Sequence, residues 1–354
     1  MPPLSTGKRV VVIGAGATRG SSQSAGRECL PPLNTDFFTQ LQRVASDKHR
    51  DNVRRVVEDV VKLFGANFSL TMEDYFTQLE SMIRMGSLAG GAASDLSPEE
   101  LRAKRDRLMA GLAAVLEDST DVSRAAAPFC ERHARIIERL QPRDTIISFN
   151  YDCVMDHALR RTASRKWSAM RGYGFHKPSR VVGWENWDPE IPAAGFNQTI
   201  NLLKLHGSLN WQLPPKKQSA DGEIVLKQRL YQQRGTPRFT IIPPENVKDF
   251  DGDENFRHLW RLAERAIRGA EVICLAGFSF TPTDLHVESL FRIALARGNL
   301  KQLLIANPSR DDRARIRSVF SRPLQSGCIV RQFDDLADLA RYLERHELSG
   351  AKVN

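Results

Sequence analysis

Residues 146–152 read IISFNYD, and residues 202–211 read LLKLHGSLNW. Each is an apolar run of the kind that forms a buried strand, and each ends abruptly in polar groups: Asn150 with Asp152 in the first, His206 with Ser208 and Asn210 in the second. In an open parallel sheet, ligands sit at the carboxyl ends of the strands. An amide, a carboxylate and an imidazole are therefore expected to converge on one crevice.

Residues 8–20, KRVVVIGAGATRG, read as another buried strand, rich in β-branched residues, running into Gly14, Gly16 and Gly20. Glycines there let the backbone approach a phosphate, and the amides of such a loop can hydrogen-bond it. A plain tight turn accounts for the pattern equally well, because the three residues between Gly16 and Gly20 are one more than the dinucleotide fingerprint has. Thr18 and Arg19 suit a phosphate or an unliganded loop tip alike.

Further strand-like runs lie at 239–242, 272–276, 303–306 and 329–333, with helical patterns at 256–267, 285–296 and 336–343 between several of them. Such alternation predicts an α/β fold, a Rossmann-like parallel sheet with helices on both faces. More than a hundred residues separate the first strand from IISFNYD with no convincing strand among them; 37–44, 53–64, 72–83, 98–116 and 125–140 show helical spacing instead. Thr71 opens TMED as a helix cap, and 86–97, GSLAGGAASDLS, is a glycine-rich break ending in a second cap, Ser97. This organisation predicts one domain made of residues 1–34 and 142–354, with a helical insertion over 35–141. Residues 189–235 are polar and Pro/Gly-punctuated outside LLKLHGSLNW, with PPKKQSADG as an exposed hairpin or loop.

Together the three glycine, FNYD and KLHGSLNW pieces resemble the sirtuin-like NAD-consuming domains, in particular the bacterial antiphage-defence branch. The resemblance covers residues 8–20 and about 142–335. Gly14-Ala15-Gly16 matches the glycine loop of that family, Asn150 with Asp152 its paired polar residues, and His206 its histidine. CLAGFSF at 274–280 resembles the family's G-x-S nucleotide turn through Gly277 and Ser279, and LLIANP at 303–308 its adenosine-side strand through Asn307. The resemblance implies NAD as substrate, with Asn150, His206 and Asp152 catalytic. It implies cofactor contacts from Gly14, Ala15, Gly16, Thr18, Gly277, Ser279 and Asn307. Asp152 would meet the nicotinamide carboxamide, but it suits equally well a cap for the helix over 153–159; His206 would act as a base on a ribose hydroxyl or water, its ordinary pKa lying near neutrality.

The departures narrow the reading. Deacetylating sirtuins carry a zinc ribbon of two Cys-x-x-Cys pairs, whereas Cys29, Cys130, Cys153, Cys274 and Cys328 lie far apart here and predict no metal site. SSQSAGRECLPP after Gly20 lacks the phenylalanine-arginine signature of deacetylases. NAD cleavage is thereby implied over deacetylation, in an NAD-depleting antiphage effector. With no further module read beyond residue 345, its off state would be relieved by self-assembly, a helicase-type ATPase or a prokaryotic Argonaute. A non-catalytic NAD- or ADP-ribose-binding module of a larger assembly stands as the alternative.

Composition is that of a globular protein, 41% hydrophobic and 26% charged, and no apolar run approaches the ~18 residues that cross a bilayer. The cytoplasm is the expected compartment, where the odd number of scattered cysteines would stay reduced. A net charge of +9 invites DNA contact, yet the basic residues stand beside acids on helical stretches, which predicts solvated faces and a contribution to holding pyrophosphate. Asp284 is read as the cap of the helix that follows it; His157, His176 and His286 as structural or exposed; and Trp184, Trp187, Trp211 and Trp260 as packing residues.

Overall fold

The computed structural model describes residues 8–88, 97–120, 129–176, 179–182, 199–212, 224–227, 239–241, 254–281, 284–346 and 348. Ten strands fall in that set: β1 (Arg9–Ile13), β2 (Thr145–Ser148), β3 (Ser179–Val182), β4 (Asn201–Lys204), β5 (Gly207–Gln212), β6 (Ile224–Lys227), β7 (Phe239–Ile241), β8 (Val272–Ala276), β9 (Gln302–Ala306) and β10 (Ile329–Phe333). Six of them make one parallel sheet in the order β10-β9-β8-β1-β2-β4. The strands that read as continuous apolar runs lie at its centre: β1, β2 and β8 are buried almost throughout, as strands covered on both faces must be. Helices such as Glu254–Gly269 and Leu285–Leu295 pack their apolar residues onto this core. The α/β Rossmann-like fold is thus present.

Register positions the site. Ile13 pairs with Ser148 and with Ala276, Ser148 pairs with Lys204, and Ala276 pairs with Ala306. The carboxyl ends of five neighbouring strands are therefore level, and the residues that follow them, Gly14, Phe149, Leu205, Gly277 and Asn307, open onto one edge.

LLKLHGSLNW is two strands, not one strand with a polar end. β4 belongs to the parallel sheet, whereas β5 pairs antiparallel with β6 and β7 in a second, four-stranded sheet of order β3-β6-β5-β7. The chain turns at Leu205-His206, and Gly207, at φ +80°, takes a left-handed conformation that a side chain would strain. β7, expected beside the other strands, lies in this second sheet too. The second sheet as such went unread because β3, β6 and β7 are only three or four residues each.

Between β1 and β2 the described elements are helical, and most of them build a second core that also takes in Cys153, Val154 and Leu209, whereas helix Glu131–Glu138 packs into the core of the sheet. Val56, Val60, Tyr75, Phe76, Leu79, Leu108 and Leu112, from helices Arg50–Phe64, Met72–Leu88 and Pro98–Thr120, are packed in one cluster with Phe37 and Leu41. Both expected caps are capping boxes: Thr71 Oγ1 accepts from the Asp74 N–H while Asp74 accepts from the Thr71 N–H, and Ser97 and Glu100 repeat the exchange. The glycine-rich break beyond Leu88 and the PPKKQSADG segment lie outside the described residues, as do Trp184 and Trp187. Trp211 is core and Trp260 packs against it.

Candidate active site

The level strand ends and the helical core face each other across a cavity of about 160 Å³. Ala15, Thr18, Phe149, Asn150, Tyr151, Asp152, His206, Thr281 and Asp284 line it from the sheet side, and Leu33, Asn34, Met72, Glu73, Leu112 and Leu116 from the helical side, with Pro31 and Pro32 between. Asn150 and His206, on the loops after adjacent strands β2 and β4, meet here as expected.

Asn150 is only 7% exposed, more enclosed than a strand-end residue usually is. Its Nδ2 donates to Gly14 O and to Thr18 Oγ1, both at 2.9 Å. Its Oδ1 makes no hydrogen bond among the described residues and is left as an acceptor toward the cavity. Thr18 Oγ1 in turn donates to Asp152 Oδ2 at 2.7 Å, and Asp152 Oδ1 accepts from the Val154 N–H at 2.9 Å. The chain Asn150–Thr18–Asp152 thus locks the β1 loop to the β2 loop, and Asp152 both lines the cavity and holds the start of helix Val154–Thr162. The Thr18 hydroxyl, spent on both sides, orients Asn150.

His206 lies in the turn between the two sheets, 5% exposed, with the ring of Phe149 edge-on at 5.1 Å between centroids. Beneath it the sequence hid a buried ionic network. Lys204, fully enclosed, donates from Nζ to Asp152 O and, at 3.2 Å, to Asp156 Oδ2; the Tyr173 hydroxyl donates to Asp156 Oδ1, and Asn210 Nδ2 to that hydroxyl at 3.3 Å. Burial works against the Lys204 ammonium, but Asp156, Cys153 and Asp152 together outweigh it and raise the pKa above the ordinary lysine value. Desolvation and the Asp156 charge push Tyr173 well above the usual phenol, so its proton stays on. The one signal in the sequence was a lysine inside an apolar strand run.

The glycine loop is used differently from the expectation. The Gly14 N–H donates to Ala276 O and the Gly16 N–H to Gly277 O, so a phosphate would have to displace these bonds to use either amide. The glycines are needed because a Cβ at Gly14 would stand 2.5 Å from Gly277 O, and Gly277 itself has φ +56°. Of the loop, Ala15 and Thr18 reach the cavity. Gly277 and Asn307 stitch the far end of the edge: Asn307 Nδ2 donates to Phe278 O at 3.1 Å and its Oδ1 accepts from the Ser309 N–H at 2.9 Å. Ser279 is partly buried nearby, and none of these three lines the cavity.

Among the described residues no Lys or Arg lines the cavity. Many pair along helices instead, as Arg54 with Glu58 and Arg292 with Glu288. Arg19 pairs with Asp36. Asp284 occupies the N-cap position of helix Leu285–Leu295 as read, but its side chain makes no capping bond and lines the cavity. Glu73 and Asn34 were not singled out by the sequence reading; Glu73 was only one acid of a cap. Among the described residues no group of three His, Cys, Asp or Glu is placed to hold a metal, and no helix is long and apolar enough to cross a membrane.

A family model, that of the SIR2-like domain, matches residues 144–323, half of the chain, spanning β2 through helix Ser321–Gln325 and so including Asn150, His206, Gly277 and Asn307. No curated protein matches the chain.

Proposed function

This chain belongs to the SIR2-like domain family, whose domains use NAD, and from that premise we propose that it is an NAD glycohydrolase releasing nicotinamide and ADP-ribose. The observation that carries the proposal is the free Oδ1 of Asn150 sharing one cavity with His206. A water that donates one proton to Asn150 Oδ1 turns a lone pair outward, and His206 is the nearby base for a proton of that water or of a ribose hydroxyl. The C1′–N bond breaks with its electron pair going to the nicotinamide nitrogen, so the leaving group departs neutral and needs no acid. The water oxygen bonds to C1′ and its proton passes to His206. Asp152, anchored by Thr18 and Val154, serves by holding Asn150 and can meet the carboxamide.

In this reading Gly14, Ala15 and Gly16 flank the pyrophosphate, and Gly277, Ser279 and Asn307 shape the adenosine side. Residues 35–141 form an insertion that gates the cleft. The chain acts as an NAD-depleting antiphage effector, held weakly active until self-assembly or a partner, such as a helicase-type ATPase or a prokaryotic Argonaute, biases the gate.

The test is nicotinamide release by the purified chain, alone and at concentrations that drive assembly. Turnover lost in His206→Ala supports the proposal. NAD binding without turnover under any of these conditions would replace it with a non-catalytic NAD- or ADP-ribose-binding role.

A further inference from the structure

Helix Glu254–Gly269 turns Phe256, Leu259, Ala263 and Ile267 into the core of the sheet. Its other side carries Arg257, Arg261, Arg265 and Arg268, all exposed. At about 3.6 residues per turn these four fall within an arc of about 80°, and the first three recur about every 6 Å along the axis. Arg268 pairs with Glu264, and the only other acid of the helix, Glu254, stands against His176 at 3.4 Å. Arg257, Arg261 and Arg265 have no carboxylate partner among the described residues. Helix Arg50–Phe64 is different, since Arg50 and Arg54 there stand on Asp47 and Glu58. The positive field is felt locally: burial comes first in holding His258 below the ordinary histidine value, and His176, Arg261 and Arg265 push the same way.

Like charges four positions apart destabilise a helix, a cost that a polyanion laid along the row would relieve. We propose that the outer face of this helix is a docking strip for the phosphate backbone of a nucleic-acid duplex. No lysine stands on the helix, and the planar fork of arginine matches phosphate oxygens two at a time. A duplex fits better than a single strand, which is held by stacking its bases on exposed aromatic rings; neither Phe256 nor Trp260 is exposed. A membrane surface fits less well too. A helix lying on lipid sets large apolar residues beside its cations, and none of the large exposed hydrophobic residues belongs to this helix. Contacts to phosphate fix position and carry no base sequence, so the strip would take duplexes of any sequence. The helix contributes no residue to the cavity, and the inference goes beyond NAD cleavage without depending on it.

The experiment is fluorescence anisotropy of a labelled DNA duplex with the full chain over a range of salt concentrations. The wild type should bind at low salt and lose affinity linearly in a log–log plot as salt rises. Arg257→Gln combined with Arg261→Gln and Arg265→Gln should weaken binding at least about tenfold and flatten the salt slope by about 2–3, one phosphate contact being lost per arginine. All three side chains are exposed, so the thermal midpoint should not move. Arg50→Gln combined with Arg54→Gln and Arg55→Gln removes the same charge from helix Arg50–Phe64 and should leave the affinity within about twofold. A chain that binds no duplex at low salt, or an equal loss in the two triple variants, overturns the proposal. So does tighter binding of a single strand, of polyglutamate or of phosphatidylserine vesicles than of the duplex.

Discussion

The two ends of the sheet edge are made of the same kinds of residue and treat them oppositely. At the β8–β9 end, Gly277 is wedged against the glycine loop and Asn307 spends both ends of its carboxamide on Phe278 and Ser309. At the β2–β4 end, Asn150 spends its nitrogen on Gly14 and Thr18 and keeps its oxygen for the cavity. An asparagine after a parallel strand is thus a loop clamp in one place and a ligand-facing acceptor in the other. The difference is a single acceptor with no partner among the described residues, on a side chain that lines the cavity.

The closed end is the one to break first. Gly277→Val puts a branched side chain at φ +56°, and its Cβ would overlap the Ala17 amide nitrogen. Backbone strain and overpacking together should cost about 4–5 kcal/mol, read as a collapse of the denaturation midpoint. A variant of normal stability would show that this end is looser than its geometry. Under the open end, Lys204→Met should cost about 3–4 kcal/mol, because it leaves Asp156 buried without its cation. Lys204→Met with Asp156→Leu should recover part of that loss; if the double variant is as unstable as the sum of the singles, the pair is not the unit that holds the turn.

Smaller in free energy, but decisive for the comparison, are the two cavity residues. His206→Ala and Asn150→Ala should lower nicotinamide release by roughly 10²-fold or more in a protein that still melts cooperatively. Asn150→Ala also deletes the hydrogen bonds to Gly14 and Thr18, so it should lose stability as well. Asn307→Ala should cost stability with a smaller loss of turnover; equal catalytic losses for Asn150 and Asn307 would erase the distinction drawn here. The smallest effect belongs to Thr18→Val, which removes the bridge between Asn150 and Asp152. It should cost about 1 kcal/mol and lower kcat several-fold, while Thr18→Ser restores both.

What could be read in advance follows from how local each signal is. Strands β1, β2, β8 and β9 announced themselves because a strand covered on both faces is a continuous apolar run. The caps at Thr71 and Ser97 were legible because both partners lie within four residues. The strand β5 was not, since His206, Ser208 and Asn210 read as the polar end of β4, whereas the chain turns at Gly207 and buries them in a second sheet.

The sequence by itself determined the alternation that makes a parallel sheet and the polar residues that end its strands, because both are patterns over a few neighbouring positions. Tertiary structure alone decided which polar atoms remain for a ligand. Asn150 meets Gly14 across 136 positions, Glu73 meets Asn34 across 39, and Lys204 meets Asp156 across 48. Hydrogen-bond partners at such separations are fixed by strand register and helix packing, so the atoms left unpaired, and with them the character of the cavity, exist only once the chain has folded.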